Sequence, residues 1–345
     1  MLVDLERLDD IIKNLTDPEL FSGVVSVRRG DEVLFEKSYG YAIRSEFIPN
    51  KPNTKFQMAS GCKVFTSVAI CQLVERGKLK FDTLLSDCVD VTFPNYAPDI
   101  TISHLLTHSA GITSYYEEDV NPDYEDLWGD LPVYKVRGPR DFLPLFQHKN
   151  MKFSPGKRFE YNDGGFILLG LVIESTTGVN FSTYVRQKIF EPTNMLDSGY
   201  FATDQLPERT AYAYIKNTDG TWRTNFFAVP VIGGADGGAY TTVLDMARFW
   251  GALTGKKLLN TELTASLLDT QIATSLKPPY GHYGFGVWID RVEDGNRKIF
   301  VEGLDPGVAL RSAVYVDEGL VVTVLGNTSK ALWPLYRKIE KILEL

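Results

Sequence analysis

Lys55-Phe56-Gln57-Met58-Ala59-Ser60-Gly61-Cys62-Lys63, running on into the apolar stretch Val64 to Val74, decides how this chain is read. Lys55 to Ala59 reads as extended chain entering a turn. Val64 to Val74 is apolar almost all round and Gly77 supplies a stop, so the segment is expected to be an internal helix. Residues three apart are neighbours on a helical face, which brings the Lys63 amine within reach of the Ser60 hydroxyl. Serine is a weak nucleophile until a nearby base takes its proton, and a desolvated lysine can do so. A serine at a helix N-terminus also has free backbone N–H groups pointed at any negative charge that develops there. Ser and Lys fall at this spacing often by chance, so the reading depends on the rest of the chain.

Two further stretches carry chemistry. Phe159-Glu160-Tyr161-Asn162-Asp163-Gly164-Gly165 precedes the apolar, helix-like run Phe166 to Ile173. Its tyrosine and short polar side chains, set among glycines, suit a loop facing a cleft, where Tyr161 could pass a proton between nucleophile and leaving group. Taken alone, the stretch reads more readily as a buried tyrosine capping a turn, with Asn162 or Asp163 as helix N-cap. Val301-Glu302-Gly303-Leu304-Asp305-Pro306-Gly307 lies between the strand-like Ile299-Phe300 and the strand Val308 to Val316. By itself it reads as a hairpin connection, which Asp-Pro-Gly favours.

In this order and spacing the three stretches resemble the serine β-lactamase and penicillin-binding-protein superfamily, in its class C and esterase branch. The family carries S-x-x-K, then Y-x-N, then a K-T-G or H-x-G strand motif. Ile100-Thr101-Ile102-Ser103-His104-Leu105-Leu106-Thr107-His108-Ser109-Ala110-Gly111-Ile112, Gln72 to Leu79 and Gly237 to Thr242 are also similar to the family. The first motif matches fully. The second has Asp163 where the family has asparagine, and the third has Val301 where lysine or histidine opens it. The resemblance implies a β-lactamase/transpeptidase-like α+β fold. It also implies a serine hydrolase without cofactors, in which Ser60 forms an acyl-enzyme and Lys63 and Tyr161 manage the proton. Gly303, Leu304, Asp163 and Glu302 would line the substrate site, and the N–H groups of Ser60 and Leu304 would form the oxyanion hole.

Composition agrees with a folded enzyme. The chain has 345 residues, 44% hydrophobic and 23% charged, ordinary values for a globule with a large core. A formal net charge of -8 argues against nucleic acid or anionic membrane as a partner. No run of eighteen apolar residues suggests a membrane span. Met1 to Leu15 reads as an amphipathic surface helix rather than a signal peptide, so a cytoplasmic location is expected, or an extracytoplasmic one if a leader has been trimmed. The three cysteines, Cys62, Cys71 and Cys88, have no metal spacing and give no disulfide framework; the first two read as small core residues. The sequence does not define an oligomeric state.

With no low-complexity linker, residues 1–345 are expected to form one catalytic unit. Residues 1–60 and 215–345 would build an antiparallel sheet from the two termini, flanked by helices, and 61–214 an inserted, mostly helical part, with the site in the groove between. Strands are expected at Gly23 to Val27, Glu32 to Tyr39, Gly284 to Asp290, Arg297 to Glu302, Val308 to Val316 and Leu320 to Leu325. Helices are expected at Leu244 to Leu253 and Leu332 to Leu345. Turns are expected at Arg28 to Asp31, Glu293 to Asn296 and Asp317 to Gly319. Thr107 to Gly111 imitates a nucleophile elbow but lacks the leading glycine and the strand. His104 and His108 read as packing rather than zinc ligands. The glycine-rich Gly233 to Gly238 reads as a close-approach loop beside the cleft. Tyr115 to Trp128, with six acidic residues, reads as a solvated surface loop or a lid.

Two expectations follow from the departures. Asp163 should hold the proton on Lys63, so that Tyr161 carries more of the proton traffic and activity rises toward alkaline pH. Val301 and Glu302 should disfavour substrates with a carboxylate at that position, as β-lactams have, and favour uncharged short esters or amides, or an amine. Substrate candidates are small esters, D-amino-acid amides or peptides, and β-lactams. The alternative is a catalytically weak homologue that binds a peptide or partner in the same groove.

Overall fold

The computed structural model describes residues 8–10, 12, 21–117, 123–291, 297–329, 332–343 and 345. Strands β1 (Gly23–Arg29) and β2 (Glu32–Tyr39) come from the start of the chain. The other six come from its last quarter: β3 (Ile272–Ala273), β4 (His282–Tyr283), β5 (Trp288–Arg291), β6 (Arg297–Asp305), β7 (Val308–Tyr315) and β8 (Leu320–Gly326). They form one eight-stranded sheet in the order β2-β1-β8-β7-β6-β5-β4-β3. β1 lies antiparallel to β8, with Val24 opposite Leu325 and Val27 opposite Val322.

Every residue of β7 and β8 is buried. Such runs, apolar without alternation, require cover on both faces. On one face lies α4 (Leu332–Leu343), which sets Leu332, Leu335, Tyr336 and Ile339 at helical spacing against Val25, Val27, Ala313 and Val322. On the other face lie α1 (Lys63–Glu75), α2 (Asp163–Thr177) and α3 (Val243–Thr254). α1 is buried at every position from Lys63 to Leu73, as its all-round apolar sequence requires. The result is a mixed α+β sandwich of helix, sheet and helix layers.

Several sequence expectations shift. The first hairpin turns only at Gly30-Asp31, because Arg28 and Arg29 stay in β1 and Arg28 pairs with Glu36 at 2.5 Å. The expected strand Gly284 to Asp290 is interrupted after β4 by a turn in which Gly284 N–H donates to Val287 O. Gly286 there has φ +74, and a Cβ on it would come 2.3 Å from Ser67 Oγ of α1. Of the expected helix Met1 to Leu15, residues 8–10 and 12 are described and helical. The expected turn Glu293 to Asn296 lies outside the described residues.

Candidate active site

β5 ends its pairing with β6 opposite Phe300, so Val301 to Asp305 run on past it beside the turn that carries Ser60. That turn is a single 3-10 turn, Ala59–Cys62, leading directly into α1. Ala59 sits at φ +45, a conformation that costs a non-glycine residue energy unless its surroundings impose it. The surroundings do so: Met58 N–H donates to Ala239 O at 2.7 Å, and Gly238 N–H to Ala59 O at 3.2 Å. Gly303 of β6 closes the other side, where a Cβ would lie 2.9 Å from Ser60 N and 2.0 Å from Met58 O. Only glycine fits.

Lys63, one turn on, donates to Ser60 Oγ at 2.9 Å, to Asp163 Oδ1 at 2.6 Å and to Asp236 O at 2.6 Å. All three ammonium hydrogens are thereby used. Burial works to lower the Lys63 pKa, but the charges of Asp163, Tyr161 and Asp236 outweigh it and lift the group well above the lysine range. Asp163 is placed by the start of α2. Asn162 is the N-cap, its Oδ1 accepting from Gly165 N–H at 2.9 Å while its amide donates to Ile112 O at 2.6 Å.

Tyr161 stands at the groove with 36% of its surface exposed. Its ring stacks near parallel on Trp288 and lies 4.3 Å from the His108 ring. Lys63 Nζ is 4.9 Å from its centroid. Desolvation pushes the phenol up to about 12, with Lys63 and Ser60 pulling against that rise. His108, at φ +53, accepts the Asn162 N–H on Nδ1 at 3.0 Å. The ring proton is therefore on Nε2, which meets Tyr283 Oη at 3.1 Å. Burial, and then the Lys63 charge, keep this imidazole neutral, well below its usual range.

The glycine-rich loop reaches the site through Asp236, whose carbonyl receives Lys63 and whose carboxylate accepts from Tyr115 Oη. Burial lifts that carboxyl to about 6, against the pull of Lys63. Neither Asp236 nor Tyr115 stood out in the sequence as a contributor to the site. Of the acidic stretch, Tyr115, Tyr116, Glu117 and Tyr124 wall the groove, which has a volume of about 540 Å³, while Trp128 is anchored to Ala228 O at 2.9 Å. The stretch is thus groove wall at Tyr115, Tyr116, Glu117 and Tyr124 and surface at the exposed Asp123 and Asp126. Ser109 is buried against Thr107 Oγ1 at 2.8 Å, and His104 caps its own helix through Thr101.

Glu302 requires correction. β6 alternates its side chains, so Val301 and Gly303 face α1 while Phe300 and Glu302 face α4. Glu302 accepts from Tyr280 Oη at 3.1 Å and lies 3.8 Å from Arg311 Nη1, away from the groove. Burial raises it to about 7, opposed by Arg311. Val301 is core at 2% exposure. Leu304 does line the groove, as does Asp305 beyond it. Among the described residues, no three His, Cys, Asp or Glu side chains come together as a metal set.

A Ser-x-x-Lys helix start, a tyrosine above the lysine and a glycine-bearing strand edge, built on this sheet, define the β-lactamase/transpeptidase-like class of serine hydrolases. The chain belongs to the Beta-lactamase family, whose model matches residues 8–344. A crystal structure of a penicillin-binding protein from Bacillus halodurans is 47% identical with a TM-score of 0.90, covering 97% of this chain and 99% of that one. Penicillin-binding protein 4* of Bacillus subtilis is 25% identical over 93% of this chain and 71% of its own length. The teichoic acid D-alanine hydrolase of Staphylococcus aureus is 26% identical over 82% of this chain and 65% of its own. The chain thus spans about two thirds of the length of these two curated relatives. No single helix among the described residues is long and apolar enough to cross a membrane.

Proposed function

We propose that the protein is a serine acyl hydrolase that works through a covalent acyl-enzyme on small esters or amides, D-aminoacyl compounds included. The observation that carries this reading is the Lys63 ammonium held between Ser60 Oγ and the Asp163 carboxylate, at 2.9 and 2.6 Å, at the floor of an open groove. With every N–H used, Lys63 acts by its charge, stabilising the serine oxygen as it becomes an alkoxide. Lys63 and Tyr161 titrate as a pair, and the reactive form is the one that has lost a proton. Asp163 keeps the proton on nitrogen, so the loss falls on Tyr161.

The Tyr161 phenolate then takes the Ser60 proton as Oγ bonds to the substrate carbonyl carbon. The carbonyl electrons move onto oxygen, facing the backbone N–H groups of Ser60 and Leu304, donors that typically supply about 3 kcal/mol each. Collapse expels the alcohol or amine, which receives the proton from Tyr161, and leaves acyl-Ser60. Water, deprotonated by the same tyrosine, repeats the sequence and frees the acid. The substitution of Val301 for a cation or histidine supports a preference for substrates without a carboxylate at that position.

A fluorophosphonate probe tests the mechanism, with the adduct located by mass spectrometry. Modification at Ser60, lost in Ser60→Ala, is the expected result; an adduct at Ser109, or none, would refute the proposal. A chromogenic cephalosporin, nitrophenyl esters and D-aminoacyl anilides assayed in parallel test the substrate class. Cephalosporin turnover tenfold above the others in kcat/KM would overturn it.

A further inference from the structure

The charges around the groove fall into committed and uncommitted sets. Among the described residues lining it, the one cation is Lys152; Lys63, 1% exposed, lies just behind the lining residues Ser60 and Asp163. Lys63 is held by Asp163, and Lys152 by Glu117 at 2.8 Å and Glu160 at 2.6 Å. Neither is left to receive an anion. Of the lining carboxylates, Asp163, Glu117 and Glu160 are taken by those lysines and Asp236 by the Tyr115 hydroxyl. Asp305 is the remaining one, and its carboxylate has no hydrogen-bond or ion-pair partner among the described residues.

Its place on the strand gives that carboxylate a direction of use. It follows Leu304, whose N–H is assigned to the oxyanion, and it is two residues beyond Gly303, which packs on Ser60 N. It therefore lies at the acyl side of the nucleophile, within one residue step of the reacting carbonyl. The groove it shares is aromatic: Tyr115, Tyr116, Tyr124 and Tyr161 line it as well. Aromatic faces favour an ammonium group over an anion. We propose that Asp305 is the specificity residue that binds the free α-ammonium of an aminoacyl substrate, so that the preferred substrates are esters or amides of unblocked amino acids. This rests on the acyl-hydrolase reading above. Burial, followed by the charges of Asp163 and Asp236, pushes the Asp305 carboxyl up to about 8, and an ammonium seated beside it relieves that repulsion while its own proton leaves to solvent. The role expected of Glu302, meeting a substrate amine, thus falls to a residue three positions on that faces the groove.

The test compares two substrates with one leaving group, a D-alanyl ester with a free amine and its N-acetyl counterpart, on the wild-type protein and on two variants. The wild type should prefer the free amine by at least tenfold in kcat/KM, carried mainly by KM. Asp305→Asn should bring that ratio close to unity, and Asp305→Glu should restore much of it. Fluorophosphonate labelling of Ser60, with a probe that carries no amine, reports whether each protein is folded and armed. A wild type that prefers the N-acetyl ester overturns the proposal without any variant. So does a preference that survives in Asp305→Asn while Ser60 still labels. Failure of Ser60 to label in the wild type overturns the hydrolase reading itself, and this proposal with it.

Discussion

At the residue scale the site turns on where one proton rests. Asp163 raises both Lys63 and Tyr161, so its charge delays the ionisation that arms the pair. The wild-type rate should therefore climb through neutrality toward alkaline pH. A neutral residue at position 163 removes a charge that raises both groups, so both pKa values fall and the climb starts earlier. We predict that Asp163→Asn moves this limb of the kcat/KM–pH profile down by about 1–3 units. An unchanged profile would mean that the carboxylate does not set the Lys63 proton. Ser60, Lys63 and Tyr161 were legible in the sequence because short motifs fix their neighbours and spacing. Asp236 and Asp305 were not. Asp236 acts through a carbonyl on a folded-back loop, and Asp305, ahead of Pro306 and Gly307, has the sequence of a turn former. Glu302 was misassigned for another reason: strand side chains alternate, and the sequence did not establish which parity faced the groove.

At the element scale the projecting end of β6 does what a loop could not. It carries Gly303 against the Ser60 turn and presents Leu304 and Asp305 beyond it, stiffened by pairing with β7 through Asp305 opposite Val308. A methyl at 303 would collide with backbone rather than with a movable side chain. Gly303→Ala should lower kcat/KM about 100-fold or more, the scale of losing an oxyanion donor, and cost about 1–3 kcal/mol of stability from overpacking. A near-wild-type rate in that variant would show that β6 and the turn are free to part. The other face of β6 holds α4 by a buried ion cluster. Lys298, 4% exposed, meets Asp290 at 3.1 Å and Glu340 at 3.0 Å, and Tyr315 also donates to Glu340. Lys298→Met leaves two carboxylates facing each other, and a loss of about 3–5 kcal/mol in denaturant unfolding is expected. The strands β6, β7 and β8 and the helix α4 were readable from their apolar pattern. The break before β5 was missed although two glycines mark it: Gly284 N–H closes a turn onto Val287 O, and Gly286 at φ +74 leaves room for Ser67 of α1.

At the scale of the whole molecule, the sheet is assembled from chain segments that are far apart in sequence, and its interior is where they meet. β8 is wedged between β1 and β7, all its residues buried, with Val25 opposite Val324 on one side and Ser312 opposite Thr323 on the other. That arrangement was foreseeable in outline, as strand-like segments at both ends with helices between them, while the register that seats Gly303 on Ser60 emerges only from packing. Contacts between such distant segments make folding slow, since loop closure must precede any gain from the strand pairing. A chain ending at Asp317 lacks the strand that β1 and β7 both require, and it should be insoluble or unlabelled at Ser60 by fluorophosphonate. Soluble, labelled protein from that truncation would show that the site forms without β8. During synthesis the same geometry imposes an order of events. The nucleophile is made long before β8, so β1 waits for its central neighbour until Leu320–Gly326 has been synthesised. A growing chain therefore exposes the β1–β2 hairpin without its central partner throughout that interval, and holdase chaperones would find their longest opportunity there.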